Sequence, residues 1–204
     1  MKVVIIGAGT TAIYAADILT QDRNITIAGF VGTEEEESKL EGKQIYQNLT
    51  FLGSVKLLTE LMKDDVFGFI AAIGINNNIR DNRYYEAITA GLLPINAISQ
   101  HAKINSSFQL GKGVIISPGC IISHGVEIGN NTIVNPGTII GINTKISENC
   151  FIGTGCIVEG LCEIGRNVNL GPRSTIKSYL NIGKNQIIKS GDFVDNNLQD
   201  VIRK

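Results

Sequence analysis

A glycine-rich segment near the start of the chain has the composition of an anion-binding loop. Residues 7–12, GAGTTA, follow the apolar stretch 2–6 and precede a helical stretch that extends to about Leu19. In a G-x-G-x-x-G/A pattern between a strand and a helix, backbone N–H groups and the helix N-terminus bind phosphate. The segment therefore predicts a phosphate or nucleotide site, and a tight turn without a ligand is the alternative.

Two histidines offer acid–base chemistry near neutral pH, where imidazole gains and loses a proton most readily. They are His101 and His124. His124 follows Ile122 by two residues, and the repeat described below turns Ile122 inward, so we expect His124 on the outside of the fold. It is a candidate catalytic residue, with an ordinary surface histidine as the alternative.

Four cysteines complete the set of reactive side chains. Their positions, Cys120, Cys150, Cys156 and Cys162, match neither the spacing of a zinc site nor an obvious disulfide framework. Each falls on the small inward position of the same repeat. We therefore expect four buried thiols that act as small apolar side chains, and no bound metal.

A six-residue period in the second half of the chain predicts the framework for these residues. Every sixth residue is aliphatic, and the residue four places later is usually small. The aliphatic series is Ile98, Ile104, Leu110, Ile116, Ile122, Ile128, Val134, Ile140, Ile146, Ile152, Val158, Ile164, Leu170, Ile176, Ile182, Ile188 and Val194. The small series is Ala102, Val114, Cys120, Val126, Thr132, Thr138, Thr144, Cys150, Cys156, Cys162, Val168 and Ser174.

A unit with one large and one small inward side chain is typical of a parallel β-helix. Each unit forms one flat face, and three faces close one coil. The Asn and Gly residues between the two series suit the turns at the corners. Residues 98–196 therefore predict about five stacked coils, within a second domain that spans residues 98–204.

Residues 1–97 carry no six-residue period and form a different kind of domain. Apolar strands alternate with helices, which predicts a small Rossmann-like α/β domain with a parallel sheet. We expect strands at 2–6, 25–31, 66–73 and 92–96, and a second helix at 79–90. The acidic run 34–37 is interpreted as a solvated loop. So short a domain lacks the second mononucleotide half of a nicotinamide-binding fold, which disfavours a nicotinamide-dependent enzyme.

The composition of the whole chain excludes several classes of function. Its 204 residues carry a net charge of −1 with a pI near 6.1, which gives no electrostatic footprint for nucleic acid or an anionic membrane. No apolar run approaches the roughly 20 residues of a membrane span. The first residues have the length and polarity of a strand rather than of a signal peptide. We therefore expect a soluble, cytoplasmic protein.

The two halves together resemble a family of bacterial sugar acetyltransferases, which includes sialic-acid O-acetyltransferases and nucleotide-linked 4-amino-sugar N-acetyltransferases. The resemblance extends over essentially the whole chain. Its motifs are VVIIGAG at the start, GFVG near residue 30, FLGS near residue 52, FIAAIGINNNIR before the second helix, SQHAKI where the repeats begin, and ISHGVEIG and FIGTG within them. The order of the two domains is more specific than either half alone.

This resemblance implies a left-handed β-helix, a homotrimer, and acetyl-CoA bound between neighbouring β-helices. It also implies that His124 is the general base, which takes a proton from an amine or hydroxyl that attacks the acetyl thioester directly. His101, where the family has a small residue, is expected to be structural or solvent-facing. The positions that match the family's CoA-binding residues are Ile142, Thr154, Gly155, Gly171 and Pro172. The positions that match its acceptor-binding residues are Gly9, Thr10, Thr11, Gly74, Asn76 and Ser117.

Several positions depart from the family pattern. Gly125 follows the histidine where the family often has Glu or Asp, and Ile133 stands where some members have a second histidine. Ile142 replaces a glycine whose N–H lies close to the thioester. In the first domain, the sequence TTA at 10–12 replaces Gly-His-Gly, and residues 32 and 33 are Gly and Thr where carboxylates are expected.

Neutral groups stand in for the missing carboxylate beside the ring. A coil of about 18 residues stacks His124 between Ser106 and Ile142, with Ser123 and Asn143 close by. A Ser or Asn can hold the ring by a hydrogen bond, but it supplies no negative charge to stabilise an imidazolium. An amine is a better nucleophile than a hydroxyl, so a weaker base favours N-transfer.

The sequence therefore predicts an acetyl-CoA-dependent acetyltransferase that acts on the amine of a nucleotide-linked amino sugar. The first domain would hold the acceptor and the β-helix the donor. O-acetylation of sialic acid or of another sugar is the alternative within the same class. A non-catalytic β-helical trimer, which serves as a binding or scaffold subunit, is the alternative from another class.

Overall fold

The computed structural model describes residues 1–202 as two compact units. The first is Met1–Ala97 and the second begins at Ile98. The first unit is an α/β domain, and the second is a parallel β-helix of hexapeptide repeats. The fold class predicted from the sequence is confirmed.

The first unit is built around a six-stranded sheet in the order β3-β4-β2-β1-β5-β6. Its strands are β1 (Lys2–Ile6), β2 (Thr26–Gly32), β3 (Gln44–Tyr46), β4 (Leu49–Ser54), β5 (Val66–Ala71) and β6 (Leu93–Pro94). Its helices are α1 (Thr10–Leu19), α2 (Glu34–Leu40), α3 (Leu58–Leu61) and α4 (Asn77–Thr89), with 3₁₀ turns at Val55–Leu57 and Met62–Asp64. The sheet is parallel except for the antiparallel pair β3 and β4.

The apolar strands β1 and β5 form the centre of this unit. Val3 to Ile6 are completely buried, as are Phe69 and Ile70 of β5. Strands that are buried on both faces are typical of parallel sheets covered by helices. The sheet therefore fixes where the loops after β1 and β5 emerge.

The acidic run 34–37 begins a helix, so its interpretation as a loop is wrong. Thr33 caps α2 through a capping box. Its hydroxyl accepts a hydrogen bond from the Glu36 N–H at 3.1 Å, and the Glu36 carboxylate accepts one from the Thr33 N–H at 2.8 Å. The box pairs two N–H groups at the helix start, and acidic side chains favour the positive end of the helix dipole.

Other element boundaries also differ from the sequence-based expectation. The strand expected at 66–73 ends at Ala71, the helix expected at 79–90 is Asn77–Thr89, and the strand expected at 92–96 is Leu93–Pro94. β3 and β4 have no counterpart among the expected elements, because β3 has only three residues and neither strand shows a clear apolar pattern. Among the described residues, no helix is long and apolar enough to cross a membrane.

The β-helix consists of two-residue strands stacked into three parallel sheets. The first face comprises β7 (Ala97–Ile98), β10 (Ile115–Ile116), β13 (Ile133–Val134), β16 (Phe151–Ile152), β19 (Asn169–Leu170) and β22 (Ile187–Ile188). The second face comprises β8 (Lys103–Ile104), β11 (Ile121–Ile122), β14 (Ile139–Ile140), β17 (Ile157–Val158), β20 (Thr175–Ile176) and β23 (Phe193–Val194). The third face comprises β9 (Gln109–Leu110), β12 (Glu127–Ile128), β15 (Lys145–Ile146), β18 (Glu163–Ile164) and β21 (Asn181–Ile182).

The aliphatic series lines the interior of the β-helix. From Ile116 to Ile188 its members are at most 6% exposed, and they pack into one cluster. Ile98 is 37% exposed, so its expected inward position is wrong. It lies in β7, the edge strand of its face, which has a neighbouring coil on one side only.

The small series is buried beside the aliphatic one. Thr132, Thr138 and Thr144 donate their hydroxyls to backbone carbonyl oxygens at 2.8–3.0 Å, which satisfies these polar groups inside the helix. The four cysteines are buried free thiols, as the repeat predicts. They therefore serve as packing residues.

One corner of the β-helix carries a ladder of asparagines. Asn131, Asn149, Asn167 and Asn185 each adopt a positive φ, which asparagine tolerates better than most residues. The side-chain N–H of each of the first three donates to the side-chain oxygen of the next asparagine at 2.8–3.0 Å, and that of Asn185 donates to the Val201 carbonyl oxygen at 2.8 Å. The ladder joins successive coils on the side away from the candidate catalytic histidine.

Candidate functional site

The turns between the second and third faces form the corner that carries His124, and we call it the histidine corner. It comprises residues 105–108, 123–126, 141–144, 159–162 and 177–180. The side chain of His124 is exposed, as expected. Its backbone carbonyl oxygen accepts a hydrogen bond from the Asn143 N–H at 2.9 Å. The turn of the histidine is therefore bonded to the next coil.

The imidazole of His124 contacts Ser107 rather than Ser106. The Ser107 Oγ lies 2.5 Å from His124 Nδ1. The turn at 105–108 is organised by Asn105, whose Oδ1 accepts the backbone N–H of Ser107 at 3.2 Å and its hydroxyl at 2.9 Å. This side-chain capping gives the first turn its own conformation, which is why counting 18 residues back from His124 identifies the wrong serine.

Gly125, the residue after the histidine, has a backbone conformation that favours glycine over the Glu or Asp that the family often has there. Its φ is +68°, in the left-handed region that glycine adopts without strain. A Cβ added at this position would collide with the Asn143 Oδ1. The left-handed backbone of this turn therefore accounts for glycine at 125, and a larger residue there would require the Asn143 side chain to move.

Ile142 occupies the same place as His124 in the next coil. Its side chain is 49% exposed, and its carbonyl oxygen accepts the Leu161 N–H at 2.8 Å. Within residues 1–202, no acceptor is hydrogen-bonded to the Ile142 N–H. Replacement of the family's glycine by isoleucine therefore leaves a backbone donor at this position.

Large apolar side chains extend along the histidine corner and the adjacent second face. Leu161 and Tyr179 lie at the histidine corner in the two coils that follow Ile142. Both are exposed and have a positive φ, which is uncommon for residues other than glycine and asparagine. On the second face, Ile121, Ile139 and Ile157 point outward and are 37–42% exposed. Together they form an apolar stripe that ends at the turn of His124.

The expected CoA-binding residues lie mainly on another corner, formed by the turns between the first and second faces. We call it the proline corner; its turns include residues 117–120, 135–138, 153–156 and 171–174. Thr154 and Pro172 are exposed there. The Thr154 carbonyl oxygen accepts the Arg173 N–H at 2.9 Å, and a Cβ on Gly153 would lie 2.6 Å from the Pro172 nitrogen. Adjacent turns of this corner are therefore in close contact.

The β-helix does not bring all the expected site residues together. His124 and Ile142 share the histidine corner, whereas Gly155, Gly171 and Ser117 share the proline corner with Thr154 and Pro172. The two corners lie on opposite edges of the second face. Ser117, an expected acceptor-binding residue, is only 1% exposed, so its hydroxyl does not reach the surface of the single chain.

In the first unit, the loop after β1 has the geometry that its glycines predict. Gly7 has a φ of +117°, and a Cβ there would lie 2.7 Å from the Ala72 carbonyl oxygen. The loop after β1 is therefore in close contact with the residue that follows β5. Gly9 is the N-cap of α1 and has open space where a side chain would be. Thr10 is exposed and Thr11 is 8% exposed. The N-terminus of α1 thus faces open space at this loop.

A buried arginine organises the second loop, which follows β5, and no sequence pattern predicts it. Arg80 is completely buried, and its Nη1 donates to the carbonyl oxygens of Ile73 (2.9 Å) and Gly74 (2.6 Å) and to Asn77 Oδ1 (3.1 Å). Asn76 caps α4, since its Oδ1 accepts the Ile79 N–H at 3.2 Å. The side-chain oxygen of Asn76 thus has a structural partner.

Both loops lie at the place in the sheet where α/β domains usually bind ligands. β1 and β5 are parallel neighbours in the sheet. From β1 the chain continues to β2 on one side of this pair, and from β5 it continues to β6 on the other side. Ligands of open α/β sheets bind outside the carboxyl ends of strands at such a switch point. The structure therefore brings Gly9, Thr10 and Thr11 to the same edge of the sheet as Gly74 and Asn76.

Two carboxylates of α2 lie at the ends of β2 and β4. Glu36 accepts the Thr33 N–H, and Glu37 Oε1 accepts the Ser54 N–H at 3.0 Å, so both side chains return to the ends of β2 and β4. The capping signature T-x-x-E at 33–36 was the sequence signal for this arrangement. Elsewhere, His101 is exposed, and the described residues contain no cluster of three His, Cys, Asp or Glu side chains suited to a metal.

Comparison with known proteins supports the resemblance on both units. The family described as PglD N-terminal domain matches residues 2–87, and the bacterial transferase hexapeptide family (six repeats) matches residues 109–141 and 143–178. A comparison with curated protein sequences found no match.

Solved structures resemble the chain over almost its whole length. One is a histidine-to-asparagine variant of perosamine N-acetyltransferase from Caulobacter crescentus in complex with CoA and GDP-perosamine: TM-score 0.90, 25% identity, covering 99% of this chain and 92% of that one. The acetyltransferase domain of PglB from Neisseria gonorrhoeae, in complex with acetyl coenzyme A, has a TM-score of 0.84 at 20% identity, with coverages of 98% and 93%. WeeI from Acinetobacter baumannii has a TM-score of 0.83 at 17% identity, with coverages of 98% and 94%. These last two likenesses concern the fold.

Proposed function

Because the chain belongs to the bacterial sugar acetyltransferases that combine a PglD-type domain with a hexapeptide-repeat β-helix, we propose that it acetylates the amine of a nucleotide-linked amino sugar with acetyl-CoA. The observation that carries this proposal is the exposed His124, whose ring contacts Ser107 through Nδ1 and makes no hydrogen bond through Nε2 within residues 1–202. The perosamine enzyme, similar over nearly the full chain, was solved with CoA and a nucleotide-linked amino sugar.

In the proposed reaction, His124 is the general base. The neutral amine of the acceptor attacks the carbonyl carbon of the acetyl thioester, and Nε2 takes the proton that the nitrogen loses. The C–S bond breaks and CoA leaves as a thiolate. The imidazolium then donates the proton it took from the amine to the sulfur of CoA. The products are the N-acetylated sugar and CoA. The Ile142 N–H, one coil beyond the histidine, is the donor available to the developing negative charge on the thioester oxygen.

We further propose that the complete site forms between β-helices of a homotrimer. Two features support this arrangement. His124 and the expected CoA-binding residues Thr154, Gly155, Gly171 and Pro172 occupy opposite edges of one face, so a second copy is needed to bring a donor groove to the histidine. The outward Ile121, Ile139 and Ile157 offer an apolar stripe for that contact.

The acceptor's nucleotide is assigned to the first unit. The open N-terminus of α1 at Gly9, with the hydroxyls of Thr10 and Thr11, suits a phosphate group. The neighbouring loop at Gly74, held by Arg80, completes the edge of the sheet where such ligands bind.

Free-thiol release from acetyl-CoA tests this function. The wild-type protein is incubated with a panel of GDP-, UDP- and dTDP-linked amino sugars and with free sialic acid, and His124→Ala is measured in parallel. Release with a nucleotide-linked amino sugar, and its loss in the variant, is the expected result. Release with sialic acid alone would replace N-transfer by O-transfer. Absence of both release and acetyl-CoA binding would contradict an enzymatic role.

A further inference from the structure

Two polar residues one coil before the histidine form a chain of hydrogen bonds that ends on its ring. Asn105 Oδ1 accepts both the backbone N–H and the hydroxyl of Ser107, at 3.2 Å and 2.9 Å. The same hydroxyl oxygen lies 2.5 Å from His124 Nδ1. All three side chains are at the surface of the histidine corner.

The direction of each hydrogen bond in this chain follows from what each atom can do. A backbone N–H only donates, so the atom of Asn105 that faces it is the carbonyl oxygen. That oxygen only accepts, so the 2.9 Å contact between the two oxygens requires the single proton of the Ser107 hydroxyl to point toward Asn105. Toward the ring, Ser107 Oγ can therefore only accept. His124 Nδ1 must then carry a proton, and in the neutral ring the lone pair is on Nε2.

We propose that Asn105 and Ser107 are positioning residues that hold neutral His124 in its Nδ1–H tautomer and thereby make Nε2 the basic nitrogen. This inference deepens the function proposed above, since the tautomer affects catalysis only if His124 is the base. In enzymes that use a carboxylate for this purpose, loss of that carboxylate leaves the ring in the wrong tautomer. Here a neutral amide and hydroxyl take over the orienting part of that role.

The same pair remains compatible with the charged ring that forms during transfer. When Nε2 takes the proton from the attacking amine, the ring becomes an imidazolium that donates from both nitrogens. Ser107 Oγ continues to accept from Nδ1, and no proton has to move along the chain to Asn105. The acquired proton then leaves from Nε2 to the CoA sulfur, which restores the starting tautomer. Gly125 leaves the ring without an adjacent carboxylate in sequence, so orientation depends on this pair.

The tautomer can be measured without any activity. Uniform ¹⁵N labelling of histidine, with His124→Ala to assign the two ring spectra, reports which nitrogen of the neutral ring carries the proton. We expect a protonated Nδ1 in the wild type and a shift toward the Nε2–H form, which free histidine prefers, in Ser107→Ala. Ser106→Ala, the adjacent exposed serine, is the matched control and should leave the spectrum unchanged. A wild-type ring in the Nε2–H form would overturn the assignment.

Steady-state kinetics then connect the tautomer to catalysis. We expect Ser107→Ala to lower kcat roughly tenfold, the lower range for removing a group that orients another, with KM for both substrates unchanged. Ser107→Thr, which keeps the hydroxyl, should restore the rate, and Asn105→Ala should reproduce part of the loss. Equal rates for Ser106→Ala and Ser107→Ala would overturn the positioning role. An inactive wild type with the expected tautomer would instead contradict the proposed function alone.

Discussion

The backbone N–H of Asn143 donates to the carbonyl oxygen of His124 at 2.9 Å, so the candidate base is attached to the following coil through its main chain. Its side chain takes no part in that bond. The imidazole can therefore be removed without loss of the hydrogen bond between the two turns. This separation of main-chain and side-chain roles makes His124 a clean target for mutation.

Replacement of His124 by alanine should abolish most of the activity without unfolding the protein. Loss of a general base lowers turnover by roughly 10²-fold or more. The measurement is thiol release at saturating acetyl-CoA, with the melting temperature taken alongside. His101→Ala, at the other exposed histidine, is the control and should keep its activity. Near-normal turnover in His124→Ala would remove this residue from the mechanism.

Removal of a buried side chain from the aliphatic series should destabilise the β-helix strongly. Ile152 is completely buried, and truncation of such a residue to alanine costs about 2–5 kcal/mol in the free energy of unfolding. Ile187 faces outward on the same face, two coils further along, and is 64% exposed, so Ile187→Ala should cost much less. Urea titration of both variants compares the two costs. Equal midpoints would contradict the assignment of inward positions.

The cysteines should resist thiol reagents in the folded protein. Burial raises the pKa of the Cys120 thiol to about 11 and also raises the pKa values of Cys156 and Cys162, so the reactive thiolate is scarce at pH 8. Reaction with a disulfide reagent should detect no thiol until urea exposes all 4. Rapid labelling of the native protein would show that the interior opens. Resistance also means that the thiol-release assay reports CoA alone.

The raised thiol pKa values also predict the direction of a pH effect on stability. A thiol whose pKa is higher in the folded state stabilises the protein below its unfolded value of about 9, because folding favours the neutral form. For Cys120 that contribution is lost as the pH rises from about 9 toward 11. The urea midpoint of the wild type should therefore fall over this interval more steeply than that of Cys120→Val. Parallel curves would contradict the predicted linkage.

Two glycines of the first loop should respond to alanine in different ways. Gly7→Ala forces a Cβ to 2.7 Å from the Ala72 carbonyl oxygen at a φ of +117°, so it should lower stability by about 1 kcal/mol or more. Gly9→Ala meets no neighbouring atom at an ordinary φ, so the fold should tolerate it. If Gly9 lies against the acceptor's phosphate, its variant should raise KM for the nucleotide sugar and leave KM for acetyl-CoA unchanged. An unaltered acceptor KM would exclude Gly9 from that site.

The sequence by itself determined the β-helix and the class of the first domain. The six-residue period repeats the same environment at Ile116, Ile122 and each later position, so the burial of one member predicts that of the next. The glycine loop after an apolar strand likewise predicted the geometry at Gly7, because a local pattern fixes a local turn. The T-x-x-E signature at 33–36 was equally local, and α2 could have been predicted from it.

Only the tertiary structure decided which groups surround the functional atoms. Repeat counting selects Ser106 because it assumes that all turns are identical, whereas Asn105 caps its own turn and brings Ser107 to the ring. Arg80 reaches back to Gly74 through a buried guanidinium, which no periodicity encodes. Period and composition specify the backbone path and the interior. Hydrogen bonds between side chains depend on the conformation of individual turns, and that conformation is set by contacts between residues from different coils and loops.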